Sequence, residues 1–159
     1  MKRLALFLLS GLCGVTFAAP EDITFQGNLL APPACTVSAN NTIDVLFQDV
    51  IIDNINGVNF RQDVPYTITC DSASRNSAWV MTLTWTGSQT DFDNAAVQTN
   101  VTGLGIQLQQ NGQPFRWNTP LTIDTTNLPT LKAVPVKKNG AVLNDGDFSA
   151  YATLQVDYQ

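Results

Sequence analysis

Alternation with a period of two runs through nearly the whole chain and restricts its fold more than any other feature. Tyr66, Ile68 and Cys70 alternate with Thr67 and Thr69, and Trp79, Met81, Leu83 and Trp85 alternate with Val80, Thr82 and Thr84. Leu104, Ile106 and Leu108 alternate with Gly105 and Gln107. Phe148, Ala150, Ala152, Leu154, Val156 and Tyr158 alternate with Ser149, Tyr151, Thr153, Gln155 and Asp157. Successive side chains of a strand point to opposite faces, so alternation rich in Thr, Val and aromatics marks half-buried strands. Asn56-Gly57, Asn111-Gly112, Asn139-Gly140 and Asp145-Gly146 punctuate these runs as turn signals, the last of them as a hairpin turn. No convincing stretch carries a helical period. Short strands so punctuated predict an all-β chain folded as one antiparallel β-sandwich.

The first residues read as a targeting segment. Lys2 and Arg3 precede an apolar run that begins at Leu4–Leu9, and Thr16-Phe17-Ala18 follows with small residues where a signal peptidase reads. This pattern predicts a signal peptide over 1–18, cleaved after Ala18, and therefore export. The apolar run is shorter than the ~20 residues that span a bilayer, and Leu12 before Cys13 does not suit a lipoprotein signal. Removal leaves 141 residues, about one domain. It also leaves six Lys/Arg against thirteen Asp/Glu, a net charge of −7. Scattered cations on an acidic chain give no footprint for nucleic acid or anionic lipid. Cys35 and Cys70 remain as one pair in an oxidising compartment and predict a disulfide. Closing that loop is worth roughly 3–4 kcal/mol on the chain-entropy model.

The residue inventory argues against catalysis, cofactors and metals. The chain has no histidine for general-base chemistry or metal ligation, and no second thiol pair. Asp91 and Asp93 flank Phe92 and would share a strand face as paired carboxylates, but Gly87 to Asn94 reads as a solvated polar connection. Asn144-Asp145-Gly146-Asp147 lacks the later ligands and terminal Glu of a calcium loop. Asn40-Asn41-Thr42 and Asn100-Val101-Thr102 are glycosylation sequons by pattern only.

Function is read from the two ends. Ile23, Phe25, Gly27 and Leu29 share one face of a strand pattern, with Thr24, Gln26 and Asn28 on the other. An ordinary first strand would look the same, but glycine weakens a strand interior and is often found where another backbone or side chain approaches closely. Pro32-Pro33 separates this segment from Cys35, since proline cannot donate to a ladder. At the other end, Gly146 opens an alternating apolar strand that runs to Tyr158, with Gln159 beyond it. Such an apolar strand needs a groove or partner, because an exposed apolar edge invites aggregation.

In these features the chain resembles the chaperone–usher pilins, close to the minor and adaptor subunits of P-type pili. The matching residues are the Ile23–Leu29 alternation with Gly27 inside it, Pro33-Ala34-Cys35-Thr36-Val37, and Cys70 at the end of the second strand. Gly103-Leu104-Gly105-Ile106-Gln107-Leu108, and Gly146 with the run to Tyr158, complete the match. The resemblance implies an incomplete immunoglobulin-like sandwich lacking its last strand. It implies residues 19–33 as an N-terminal donor-strand extension and 34–159 as the pilin domain. A periplasmic chaperone would fill the groove along Gly146, Phe148, Ala150, Ala152, Leu154, Val156 and Tyr158, and hold the carboxylate of Gln159. At an outer-membrane usher the extension of the next subunit would replace the chaperone strand, placing the subunit in a fimbrium at the cell surface and contributing to adhesion. The alternative class is a secreted carbohydrate-binding or tip-adhesin β-sandwich, which would fold alone.

Overall fold

The computed structural model describes residues 22–29, 31, 33–71 and 79–158. The expected signal peptide, residues 19–21 of the expected extension, Leu30, Pro32 and Gln159 lie outside the described residues. The chain divides into two units, Met1–Leu30 and Ala31–Gln159. In the first unit, residues 22–29 have no ladder partner, and Ile23, Phe25 and Leu29 are all exposed.

The second unit is all-β. Its strands are β1 (Cys35–Val37), β2 (Gln62–Asp63), β3 (Ile68–Cys70), β4 (Met81–Gly87) and β5 (Ala96–Gln98). They continue with β6 (Leu104–Gln110), β7 (Gln113–Pro114), β8 (Leu121–Ile123), β9 (Leu131–Lys137) and β10 (Ala152–Tyr158). Every ladder is antiparallel. One sheet runs β10-β4-β8, a second runs β2-β9-β6-β5 with β7 beside β6, and β1 pairs with β3. Alternation produces the core between them. Met81, Leu83 and Trp85 of β4 meet Val97, Ile106, Leu131 and Ala133 of the larger sheet, with Phe115 and Ile123 closing the cluster. Leu83 and Trp85 are essentially fully buried, and each such side chain contributes about 1.5–3 kcal/mol. The Trp85 indole N–H donates to the Phe115 carbonyl, so its polar atom is satisfied inside the core.

Local chemistry explains the turns. The β6–β7 hairpin closes through Asn111 and Gly112, both at positive φ, the backbone that two-residue hairpins require. Pro135 sits inside β9 without disrupting it. Lys138 N–H donates to the Gly103 carbonyl and Asn111 N–H to the Thr130 carbonyl. The intervening Ile106/Pro135 pair therefore falls among the non-bonded pairs of the ladder, and its nitrogen points away from β6. On that side β2 reaches only Lys132 and Ala133, so no partner is deprived of a donor.

Three expectations are corrected. Asp145-Gly146 is a bend within the connection from β9 to β10, which belong to different sheets, so it closes no hairpin. The ladder of the last strand begins at Ala152, not near Gly146, because its partner β4 ends at Gly87 opposite Ala152. The Gly87–Asn94 connection is also less solvated than its composition implies. Thr90 is buried, and the Asp93 carboxylate accepts from the Ala95 N–H and the Gln107 side-chain amide.

Candidate functional site: the open edge of the last strand

Strand β10 lies at the edge of its sheet, and the direction of its free groups follows from the bonds around β4. The Trp85 carbonyl accepts from Asn118 N–H at 3.0 Å, and the Gly87 carbonyl accepts from the Trp117 indole at 3.0 Å. Odd-numbered residues of β4 thus turn their main-chain groups toward β8. Thr82, Thr84 and Thr86 turn theirs toward Asp157, Gln155 and Thr153, their register partners. It follows that Ala152, Leu154, Val156 and Tyr158 direct their N–H and C=O groups at the open edge.

The same residues face the core with their side chains. Leu154, Val156 and Tyr158 are half-buried against the central cluster, as are Phe148 and Ala150 upstream, whereas Ala152 is exposed. Gly146 lies in the bend at φ +145° and is exposed. An apolar row over a half-covered core therefore lies beside a row of free backbone groups.

The facing wall comes from the beginning of the domain. Cys35 and Cys70 form a disulfide. They face each other across β1 and β3 between bonded pairs, since Asp71 N–H donates to Ala34 and Ser38 N–H to Thr67. Such non-bonded pairs bring side chains closest together. Tyr158 rests on this bridge, its hydroxyl 3.3 Å from Cys35 Sγ, with the Trp79 ring edge-on at 6.1 Å. Beyond β1, Ile43, Val45 and Phe47 are half-buried while Asp44, Leu46 and Gln48 are exposed, an alternation with no ladder of its own. Phe47 meets Phe148 with ring centroids 5.7 Å apart. Sequence reading did not single out this wall. Its signal was the Ile43/Val45/Phe47 alternation, blurred by the apolar Leu46 on the outer face.

This pairing of free backbone with half-covered apolar side chains suits the addition of one strand. Main-chain bonds would supply affinity and alternate side chains would enter the row. Among the described residues no cluster of His, Cys, Asp or Glu is arranged to hold a metal.

A family model described as Fimbrial protein matches residues 23–159. The chain belongs to this fimbrial protein family. As a fimbrial subunit it is 55% identical over 162 residues to the fimbrial-like protein YfcQ of Escherichia coli K12, covering all of both chains. It is 29% identical over 173 residues to the fimbrial adapter PapF of Escherichia coli, covering 99% of each. Among solved structures it resembles the P pilus adaptor subunit PapF, with a TM-score of 0.56 at 24% identity over 80% of this chain and 97% of that one. It also resembles the P pilus rod subunit PapA, with a TM-score of 0.58 at 23% identity over 87% and 100%. These structural likenesses establish the fold: an immunoglobulin-like pilin sandwich with an open sheet. The family is one of structural fimbrial subunits. Among the described residues no helix is long and apolar enough to cross a membrane.

Proposed function

We propose that this fimbrial subunit is a minor or adaptor component of a chaperone–usher pilus that both accepts and donates a strand, with no catalytic role. The observation that carries this reading is the open edge of β10, where Leu154 and Val156 combine free main-chain groups with half-buried side chains. Residues Ile23, Phe25, Gly27 and Leu29 supply the donated face, and their seven-residue span equals that of β10. Burying Ile23, Phe25 and Leu29 in a neighbour contributes about 1.5–3 kcal/mol each, beside a ladder of backbone bonds. A periplasmic chaperone occupies the groove first, and the usher exchanges it for the next subunit. The subunit thus passes through the periplasm and ends in a fimbrium. The relation to PapF, itself named an adapter, supports the minor or adaptor role.

The test is periplasmic expression of the chain with and without the matching chaperone. Soluble folded subunit is expected only in the presence of the chaperone. A stable folded monomer made without any partner strand would contradict the reading.

A further inference from the structure

The segment between the bend at Gly146 and the first ladder residue, Ala152, carries Phe148 into the groove without support from β4. Among the described residues, three hydrogen bonds hold it, and all involve Asn100. Ser149 N–H donates to Asn100 Oδ1 at 2.7 Å. Asn100 N–H donates to the Ser149 carbonyl at 3.1 Å, and Asn100 Nδ2 donates to the Asp147 carbonyl at 3.3 Å. Asn100 therefore grips both neighbours of Phe148 and leaves the ring between them directed at Phe47.

Asn100 is itself firmly placed. It follows β5 in a short turn organised by Thr99, whose hydroxyl accepts from Val101 N–H at 3.0 Å and lies 3.0 Å from the Leu104 carbonyl. Leu104 begins β6, in the larger sheet. The clamp thus ties the start of the acceptor strand to the opposite sheet of the sandwich.

We propose that Asn100 is a positioning residue for strand addition, fixing Phe148 as a preformed anchor at the end of the groove where β10 begins. The inference rests on the strand-acceptor reading above. A strand added antiparallel, as in every other ladder here, brings its C-terminal apolar residue to this end. In the segment 22–29 that residue is Leu29. Asn100 touches no incoming strand; it acts through Phe148.

The test uses the full-length processed chain, purified with its chaperone and then complemented by exchange with a labelled synthetic peptide of residues 19–31 as the probe strand. Asn100→Ala is expected to speed peptide release about tenfold, the scale of losing one or two side-chain hydrogen bonds. With a Leu29→Ala peptide the same substitution should change release by no more than about twofold, because the two changes remove the same contact. With a Phe25→Ala peptide the effect should again be about tenfold. Asn100→Asp retains the acceptor for Ser149 N–H and should fall between wild type and Asn100→Ala, which keeps the comparison available if the alanine variant does not fold. An equal effect on all three peptides would overturn the positioning role while leaving strand acceptance intact. Failure of the unaltered chain to bind the probe at all would overturn strand acceptance itself, and the inference with it.

Discussion

The Tyr158 hydroxyl lies 3.3 Å from Cys35 Sγ and 3.7 Å from Cys70 Sγ, so the end of the last strand rests directly on the disulfide. Two unrelated parts of the chain meet there: the last strand and the wall that faces it. A hydroxyl donating to disulfide sulfur makes only a weak contact, and the ring supplies most of the interaction through packing on the bridge and on Trp79. Tyr158→Phe should therefore cost under about 1 kcal/mol, and Tyr158→Ala about 2–3 kcal/mol, less than for a fully buried ring. Urea unfolding of the strand-complemented subunit measures both.

Removing the disulfide should cost more than either change at Tyr158. Replacing both Cys35 and Cys70 by Ser opens a loop of 35 residues' separation and is expected to lower stability by about 3–4 kcal/mol. The denaturant midpoint should fall with little change in slope. Reduction of the unaltered chain should give a similar shift.

Gly27 separates local from intermolecular demand. Nothing lies within 4 Å of a Cβ built on it, and its φ is outside the left-handed region. Gly105 is the contrast, because a Cβ there would meet Thr90 Cγ2 at 2.8 Å. Gly27→Phe should therefore leave the stability of the chaperone-bound subunit unchanged within about 0.5 kcal/mol. It should slow addition to a preceding subunit at least tenfold, measured by appearance of the exchanged dimer on denaturing gels of unheated samples. Gly105→Ala should instead lower stability by about 1–3 kcal/mol.

Stability should decline at high pH through Tyr66. Burial pushes this phenol up to about 12 from an ordinary value of 10.0, while its hydroxyl donates to the Pro129 carbonyl at 2.7 Å. The folded chain then holds its proton more tightly than the unfolded chain. The contribution is complete below pH 10 and is lost as pH rises toward 12. Tyr66→Phe should flatten this window, at a cost of about 1 kcal/mol at neutral pH for the lost hydrogen bond. Denaturation midpoints collected from pH 8 to 12 provide the comparison.

Much of the sandwich was legible because burial here follows alternation. Leu83 and Trp85, Ile106, and the Asn111-Gly112 hairpin all lie where their patterns place them. What escaped was decided by tertiary pairing. Asp145-Gly146 carries ordinary hairpin chemistry, yet the strands flanking it enter different sheets, which no local signal records. Gln107 and Gln109 look solvent-facing, but loops close over them and link Asp93, both amides and the Gly57 carbonyl in one row. Asn100 read only as part of a sequon pattern, because its partners lie 47 and 49 residues away. At the site, the apolar row on β10 was visible in sequence, whereas the facing wall at Ile43, Val45 and Phe47 needed the fold to give it a place.

Hydrogen exchange along β10 tests strand acceptance at single residues. Amides of Thr153, Gln155 and Asp157 point at β4 and should be protected both in the chaperone-bound subunit and in the subunit carrying a donor strand. Amides of Leu154 and Val156 point at the open edge; they should exchange rapidly in the short interval between release from the chaperone and strand addition, and slow at least a hundredfold once a donor strand is bound. Full protection of Leu154 and Val156 before any strand is added would contradict the open groove on which the proposed function depends.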